Sequence, residues 1–118
     1  MLSSDHRLHR SSDFTDVVRR GRRASRTLLT VHCLLDPAGG DTPPRAGLVV
    51  SKAVGGSVVR HRTARRLRHL LRGRVGFLPP GSRVVVRASA ASGSATSTAL
   101  ALDLDGALAS AVRDRARR

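Results

Sequence analysis

The sequence predicts a single α+β domain in the order helix, two or three strands, arginine-rich helix, strand, helix. Three observations carry this. The chain has 118 residues, enough for one modest core. Apolar residues recur at helical spacing in three separate segments. Between those segments lie short runs rich in Leu and Val, bounded by Gly and Pro, of the length a strand needs.

The first helix is "RSSDFTDVVRRG". Ser12 is its expected N-cap, Asp13 and Asp16 sit in the electropositive first turn, and Gly21 closes the end. Phe14, Val17 and Val18 make the apolar face at i, i+3 and i+4. A strand is expected over Thr27 to Leu35, where both alternating sets are largely apolar, so both faces should be covered. "DPAGGDTPP" reads as a loop and "RAGLVVSK" as the next strand.

After "GGS" comes a helix from about Val58 to Arg72. On a 100° wheel Val59, Thr63, Leu67, Leu70 and Leu71 share one face, and Arg62, Arg65, Arg66, Arg68, His69 and Arg72 the other. "SRVVVRA" is a further strand and "SAASGSATS" a mobile small-residue loop. The last segment alternates like a strand over "ALALDLD", but Leu100, Leu104, Leu108 and Val112 recur every four residues. Length favours a helix from about Ser97 to Arg113, ahead of a frayed basic tail at about 113–118.

Charge narrows the function. The net charge is +14 and the isoelectric point about 12.0, a field that draws polyanions, nucleic acid first among them. All the acidic residues are Asp, and none lies between Asp41 and Asp103, an interval with eleven basic residues. Seven of the 22 basic residues fall within Lys52 to Arg72. Like charges at i, i+3 and i+4 repel, and no acid on this helix offsets them, so a partner must supply the negative charge. Such a face grips phosphates and sets affinity more than sequence choice.

The entrance "SKAVGGSVVR" offers free backbone N–H groups and a positive helix end, which suit either an anion or a simple flexible N-cap. The P-loop spacing is absent. Arg60 and Arg62 stand about 200° apart on a helix. Arg62 therefore lies opposite the apolar stripe, while Arg60 lies beside it and is expected either to reach out from the first turn or to cap a nearby loop.

"LVVSKAVGGSVVRHRTARRLR" resembles the signature region of the bacterial ribonuclease P protein family, approximately S-K-K-x-G-x-A-V-x-R-N-R-x-K-R-x-x-R. Lys52, Gly55, Val58, Arg60, Arg62, Arg65, Arg66 and Arg68 match or conservatively replace it. The helix ending "RRG" and the strands "RAGLVVSK" and "VVVRA" follow in the family's order, so the resemblance covers roughly residues 8–113. Ala53 replaces the second lysine, Gly56 and Ser57 replace the usual pair after glycine, and His61 stands where asparagine is usual.

The resemblance implies a small two-layer α/β sandwich whose arginine helix connects parallel strands by a left-handed crossover. General experience of such connections favours the right-handed form. It implies that Arg60, His61, Arg62, Arg65, Arg66 and Arg68 bind the catalytic RNA. A cleft between the first helix and the sheet would hold the 5′ leader of precursor tRNA, with Phe14, Val18, His32, Ser51, Lys52 and Arg87 as its residues. The family often has aromatics at positions 18 and 32, so this cleft should rely less on stacking and more on charge. His32 fits equally well as a buried, hydrogen-bonded core residue.

No metal-protease, triad or paired-carboxylate pattern is present, and no catalytic or metal-ligating residue is expected in this chain. The resemblance assigns hydrolysis to the RNA subunit and its Mg²⁺ ions. One cysteine, Cys33, excludes an internal disulfide and suits a reducing cytoplasm. "MLSSDHRLHR" has no apolar run, so the reading is a soluble, unexported protein, with a monomer expected outside the complex. The alternative from another class is a non-catalytic structural RNA-binding protein, such as a ribosomal component.

Overall fold

The computed structural model describes residues 6–35 and 42–116, with side chains through 112. The elements are α1 (Ser11–Arg20), β1 (Arg22–Ser25), β2 (Leu29–Leu35), β3 (Arg45–Val49), α2 (Ser57–Arg72), β4 (Ser82–Ala88) and α3 (Ser97–Ala116). The sheet order is β1-β2-β4-β3. β1 and β4 run antiparallel to β2, and β3 runs parallel to β4, so α2 carries the chain between parallel neighbours as expected.

Side chains alternate across the sheet, and that alternation builds two cores. Leu29, Val31, Cys33, Val84 and Val86 face α2 and α3, meeting Leu67, Leu71, Leu100, Leu104 and Leu108. Leu34 and Val85 face the other way and pack with Val17 of α1 and with Leu8. Both faces of β2 are thus covered, by the main core over Leu29, Val31 and Cys33 and by α1 over Leu34, although Thr30 and His32 make the α1-side set the more polar one. The sheet with α2 and α3 makes the sandwich, and α1 adds cover to the opposite face.

Several expectations need correction. α1 begins at Ser11, and its N-cap is Arg10, which makes no side-chain cap bond, so Ser12 is not the N-cap. The preceding segment is held along the edge of β3, where Leu8 N–H donates to the Ala46 carbonyl at 3.0 Å, and this fixes where the chain can turn into the helix. The small-residue segment, expected as a loop, forms a 3-10 turn, Ala90–Ser94, with Ser92 and Gly93 buried. The strand expected through Lys52 stops at Val49, and Lys52–Val54 form a 3-10 turn capped by Ser51, whose hydroxyl accepts from Ala53 N–H.

The last segment is helical, with Thr96 capping it by accepting from Ala99 N–H at 3.1 Å. Gly106 has a reason to be there: Arg26 lies on it and donates to its carbonyl at 3.0 Å, and a Cβ would come within 3.2 Å of that guanidinium. The helix runs to Ala116, past the expected end at Arg113. Residues 36–41 of the expected loop and 117–118 of the expected tail lie outside the described residues.

Candidate nucleic-acid interface

The first surface is the outer face of α2. Gly55 enters it at φ +152°, a conformation that L side chains rarely adopt. Gly56 is the N-cap and makes no side-chain cap bond, leaving the first-turn amides without a side-chain acceptor. Thr63, Ala64, Leu67 and Leu71 are buried, and His61, Arg65, Arg68, His69 and Arg72 are exposed. Among the described residues no carboxylate answers this face. The four aspartates whose side chains are described are engaged elsewhere: Asp13 and Asp16 with Arg83, Asp103 with Leu28 N–H, and Asp105 with Arg74.

Arg62 and Arg66 are not where the helical wheel puts them. Both are half-buried on the flank of α2, where Arg62 Nη2 donates to the Gly93 carbonyl at 3.1 Å and Arg66 Nη1 to the Ala95 carbonyl at 2.8 Å. The turn at 90–95 descends beside α2, its carbonyls need donors, and the two arginines provide them. Gly93 permits the approach, since a Cβ there would collide with the Val54 carbonyl. Each guanidinium has five N–H groups, so both keep donors for a further partner. The loop-capping role weighed for Arg60 thus belongs to Arg62 and Arg66.

Arg60 lies on the opposite flank, half-buried, and its Nε has no partner in the structure. With His61, Arg68, Arg7 and Phe14 it lines a cleft of about 610 Å³ at the β3 edge. Arg60 was expected to reach out from the first turn; here it lies half-buried along the cleft wall.

The second surface is the sheet beside α1. Cross-strand partners share a face, so the register groups Arg23, His32, Val85 and Gly47 in one row. The next row is Ser25, Thr30, Arg87 and Val49. Val85 packs under α1 with Phe14 and Val18, which places the first row beneath the helix and Arg87 at its exposed margin. The chain leaves β3 at Val49, the register partner of Arg87, so Ser51 and Lys52 emerge at that same end. Phe14, Val18, His32 and Arg87 therefore share one face, with Ser51 and Lys52 at its rim.

His32 is 4 % exposed, and neither ring nitrogen has a hydrogen-bond partner in the structure. Burial chiefly, then the guanidiniums of Arg87 and Arg23, push its pKa below the usual histidine value, so the imidazole is held neutral. Of the two readings, burial is right but the internal hydrogen bond is absent.

Arg23, Ser25 and Thr30 were not anticipated. Arg23 Nε and Thr30 Oγ1 both donate to Ser25 Oγ, at 3.3 Å each, forming a polar margin beside Arg87. The signal was the alternation in "RRAS", too short to read as a strand. His69 and Arg72 belong to the exposed α2 face, and the wheel already grouped them with the arginines. Among the described residues no group of three His, Cys, Asp or Glu side chains is placed to hold a metal ion.

Known proteins resemble this chain in sequence and in fold. The family model "Ribonuclease P" matches residues 2–112. A ribonuclease P protein component from Streptomyces avermitilis is 58% identical, covering 92% of this chain and 93% of the relative. Another, from Thermobifida fusca, is 49% identical over 98% and 82%. The RNase P protein structure from Staphylococcus aureus superposes with a TM-score of 0.75 at 19% identity, covering 87% of this chain and 92% of that one. The one from Thermotoga maritima gives 0.72 at 20%, covering 87% and 94%. The two structures share the fold, and the match of sequence along nearly the whole chain carries the rest: this chain belongs to the ribonuclease P protein family.

Proposed function

We propose that the chain is the protein subunit that binds ribonuclease P RNA through α2 and the 5′ leader of precursor tRNA through the sheet face beside α1. The observation that carries this is the presence of two basic surfaces on one small domain, adjoining at the cleft that Phe14 shares with Arg60, His61 and Arg68. The exposed row His61, Arg65, Arg68, His69 and Arg72 has no acid of its own, and Arg87, Arg23 and Lys52 border a second site around Phe14.

A rigid helix face with many arginines suits the phosphates of a folded RNA, which fix orientation. A sheet face with one aromatic and a polar margin suits an extended single strand. Holding the leader there would add affinity that mature tRNA, lacking a leader, does not gain, so product release is favoured. The phosphodiester hydrolysis is assigned to the RNA subunit with its Mg²⁺, and the protein contributes binding and orientation. No described helix is long and apolar enough to cross a membrane. A cytoplasmic protein, monomeric outside the complex, accords with one buried cysteine and with repulsion between strongly basic copies.

The test is cleavage of a 5′-extended precursor tRNA at low Mg²⁺ by protein alone, cognate RNA alone and the two together. The proposal expects strong activity only in the mixture. Cleavage by the protein alone, or no stimulation by folded protein, contradicts it, and the second outcome favours a structural RNA-binding role.

A further inference from the structure

Phe77 stands outside both surfaces. The chain has two phenylalanines and no tryptophan or tyrosine. One, Phe14, is packed beside the sheet, and the other is 90% exposed. Phe77 is nevertheless not on a loose loop. Its N–H donates to the Arg74 carbonyl at 3.1 Å, and Leu78 N–H donates to the Val75 carbonyl at 3.2 Å. Val75 is buried in the main core and Leu78 packs against it, so the residues on both sides are anchored while the ring projects. A Cβ on the neighbouring Gly76 would meet nothing within 4 Å, so the approach to the ring is open.

The surroundings select the partner. Arg74 is held by Asp105 and by the Leu70 carbonyl, which fixes the turn to the end of α2. Two consecutive turns, Arg74 N–H to the Leu71 carbonyl at 2.9 Å and Phe77 N–H to the Arg74 carbonyl at 3.1 Å, keep Phe77 at the α2 end that carries the exposed Arg72. The chain carries no acid between Asp41 and Asp103, and Asp105, which reaches this turn from α3, is paired with Arg74. A fixed, solvent-facing aromatic ring beside an arginine helix is a platform for an unstacked base, because every base offers a π-face and the arginines take its phosphates.

We propose that Phe77 stacks on an unpaired base of the same RNA that the exposed face of α2 engages. This rests on the RNA-binding reading of α2 and extends that contact past the helix end. The absence of tryptophan gives a clean probe: Phe77→Trp supplies the only indole in the chain. Titrating that variant with the cognate ribonuclease P RNA should quench its emission to saturation. Phe77→Ala should weaken binding roughly tenfold, Phe77→Trp should retain it, and Phe77→Leu should not rescue it. The salt dependence of binding should be unchanged in Phe77→Ala, whereas Arg65→Ala should lower its slope by about 0.7 to 0.9.

Wild-type protein that binds the RNA while the Phe77→Trp emission stays unchanged overturns this inference alone. So does quenching by precursor tRNA only, or an emission shift that follows protein concentration without RNA, which would mark a second copy as the occupant. Failure of the wild-type protein to bind the RNA would instead remove the reading of α2.

Discussion

The Phe14 ring lies directly over Gly47, so that a Cβ built on Gly47 would overlap the ring's Cζ and Cε1 atoms. β3 thereby keeps a slot in the row beneath α1, and the ring is set at the β3 edge, between the sheet face and the Arg60 cleft. Gly47→Ala should expel the ring and cost about 1–3 kcal/mol of stability by overpacking. In the assembled enzyme it should weaken binding of leader-bearing precursor tRNA by about 1–3 kcal/mol, while leaderless tRNA binds as before. Equilibrium binding with and without a leader checks this, and equal losses for both RNAs would contradict the role given to Phe14.

Arg66 and Arg65 are neighbours in sequence with different work. Arg66→Ala removes a bond from a charged donor to the Ala95 carbonyl on a half-buried flank and should cost about 1 kcal/mol in urea unfolding. Arg65→Ala, on the exposed face, should change stability by less than about 0.5 kcal/mol yet reduce the salt slope of RNA binding. Unfolding midpoints and salt titrations on both variants separate the two roles. Equal destabilisation by both would show that the exposed face is also structural.

His32 makes stability depend on pH with a definite sign. Its folded pKa lies below the ordinary 6.5. Above 6.5 both folded and unfolded chains hold a neutral ring. As pH falls below 6.5 the unfolded chain takes up the proton first, so stability drops until the folded pKa is passed, with a slope of at most about 1.4 kcal/mol per pH unit. His32→Gln should lack that component. Denaturation midpoints from pH 7.5 to 5 test it, and parallel curves for the two proteins would count against a neutral buried ring.

The paired glycines before α2 are not equivalent. Gly55 sits at φ +152° with a would-be Cβ 2.9 Å from Val59, and Gly56 has nothing within 4 Å. Gly55→Ala should destabilise by on the order of 1–3 kcal/mol. Gly56→Ser should be neutral or slightly stabilising, because serine is a good N-cap. Thermal midpoints of the two variants decide this, and similar behaviour would mean that the entrance tolerates a side chain at both positions.

Much of this was legible from residue spacing. The segment 57–72 announces its helix through Thr63, Leu67 and Leu71, and β2 announces its core-facing side through Leu29, Val31 and Cys33. What was hidden depended on contacts between distant segments. Arg62 and Arg66 lie toward the buried side because the turn at 90–95 packs there, and a wheel drawn for an isolated helix contains no such turn. β1 is four residues long and gains its meaning only from pairing with β2, which is why Arg23 and Ser25 escaped notice. The cap of α1 moved because Leu8 is tied to β3, a bond between segments far apart in sequence.

The account's central claim is that the two basic surfaces hold different RNAs. The direct measurement compares Arg65→Ala/Arg72→Ala, both exposed on α2 and outside the Phe14 cleft, with Phe14→Ala/Arg87→Ala, recording for each the affinity for ribonuclease P RNA and the leader dependence of precursor tRNA binding by the assembled enzyme. The first variant should bind the RNA at least tenfold more weakly, with unchanged leader dependence once assembled, on the order of one lost phosphate contact per arginine. The second should bind the RNA normally and lose most of the difference between leader-bearing and leaderless tRNA. Equal effects of both variants on both quantities would contradict the division.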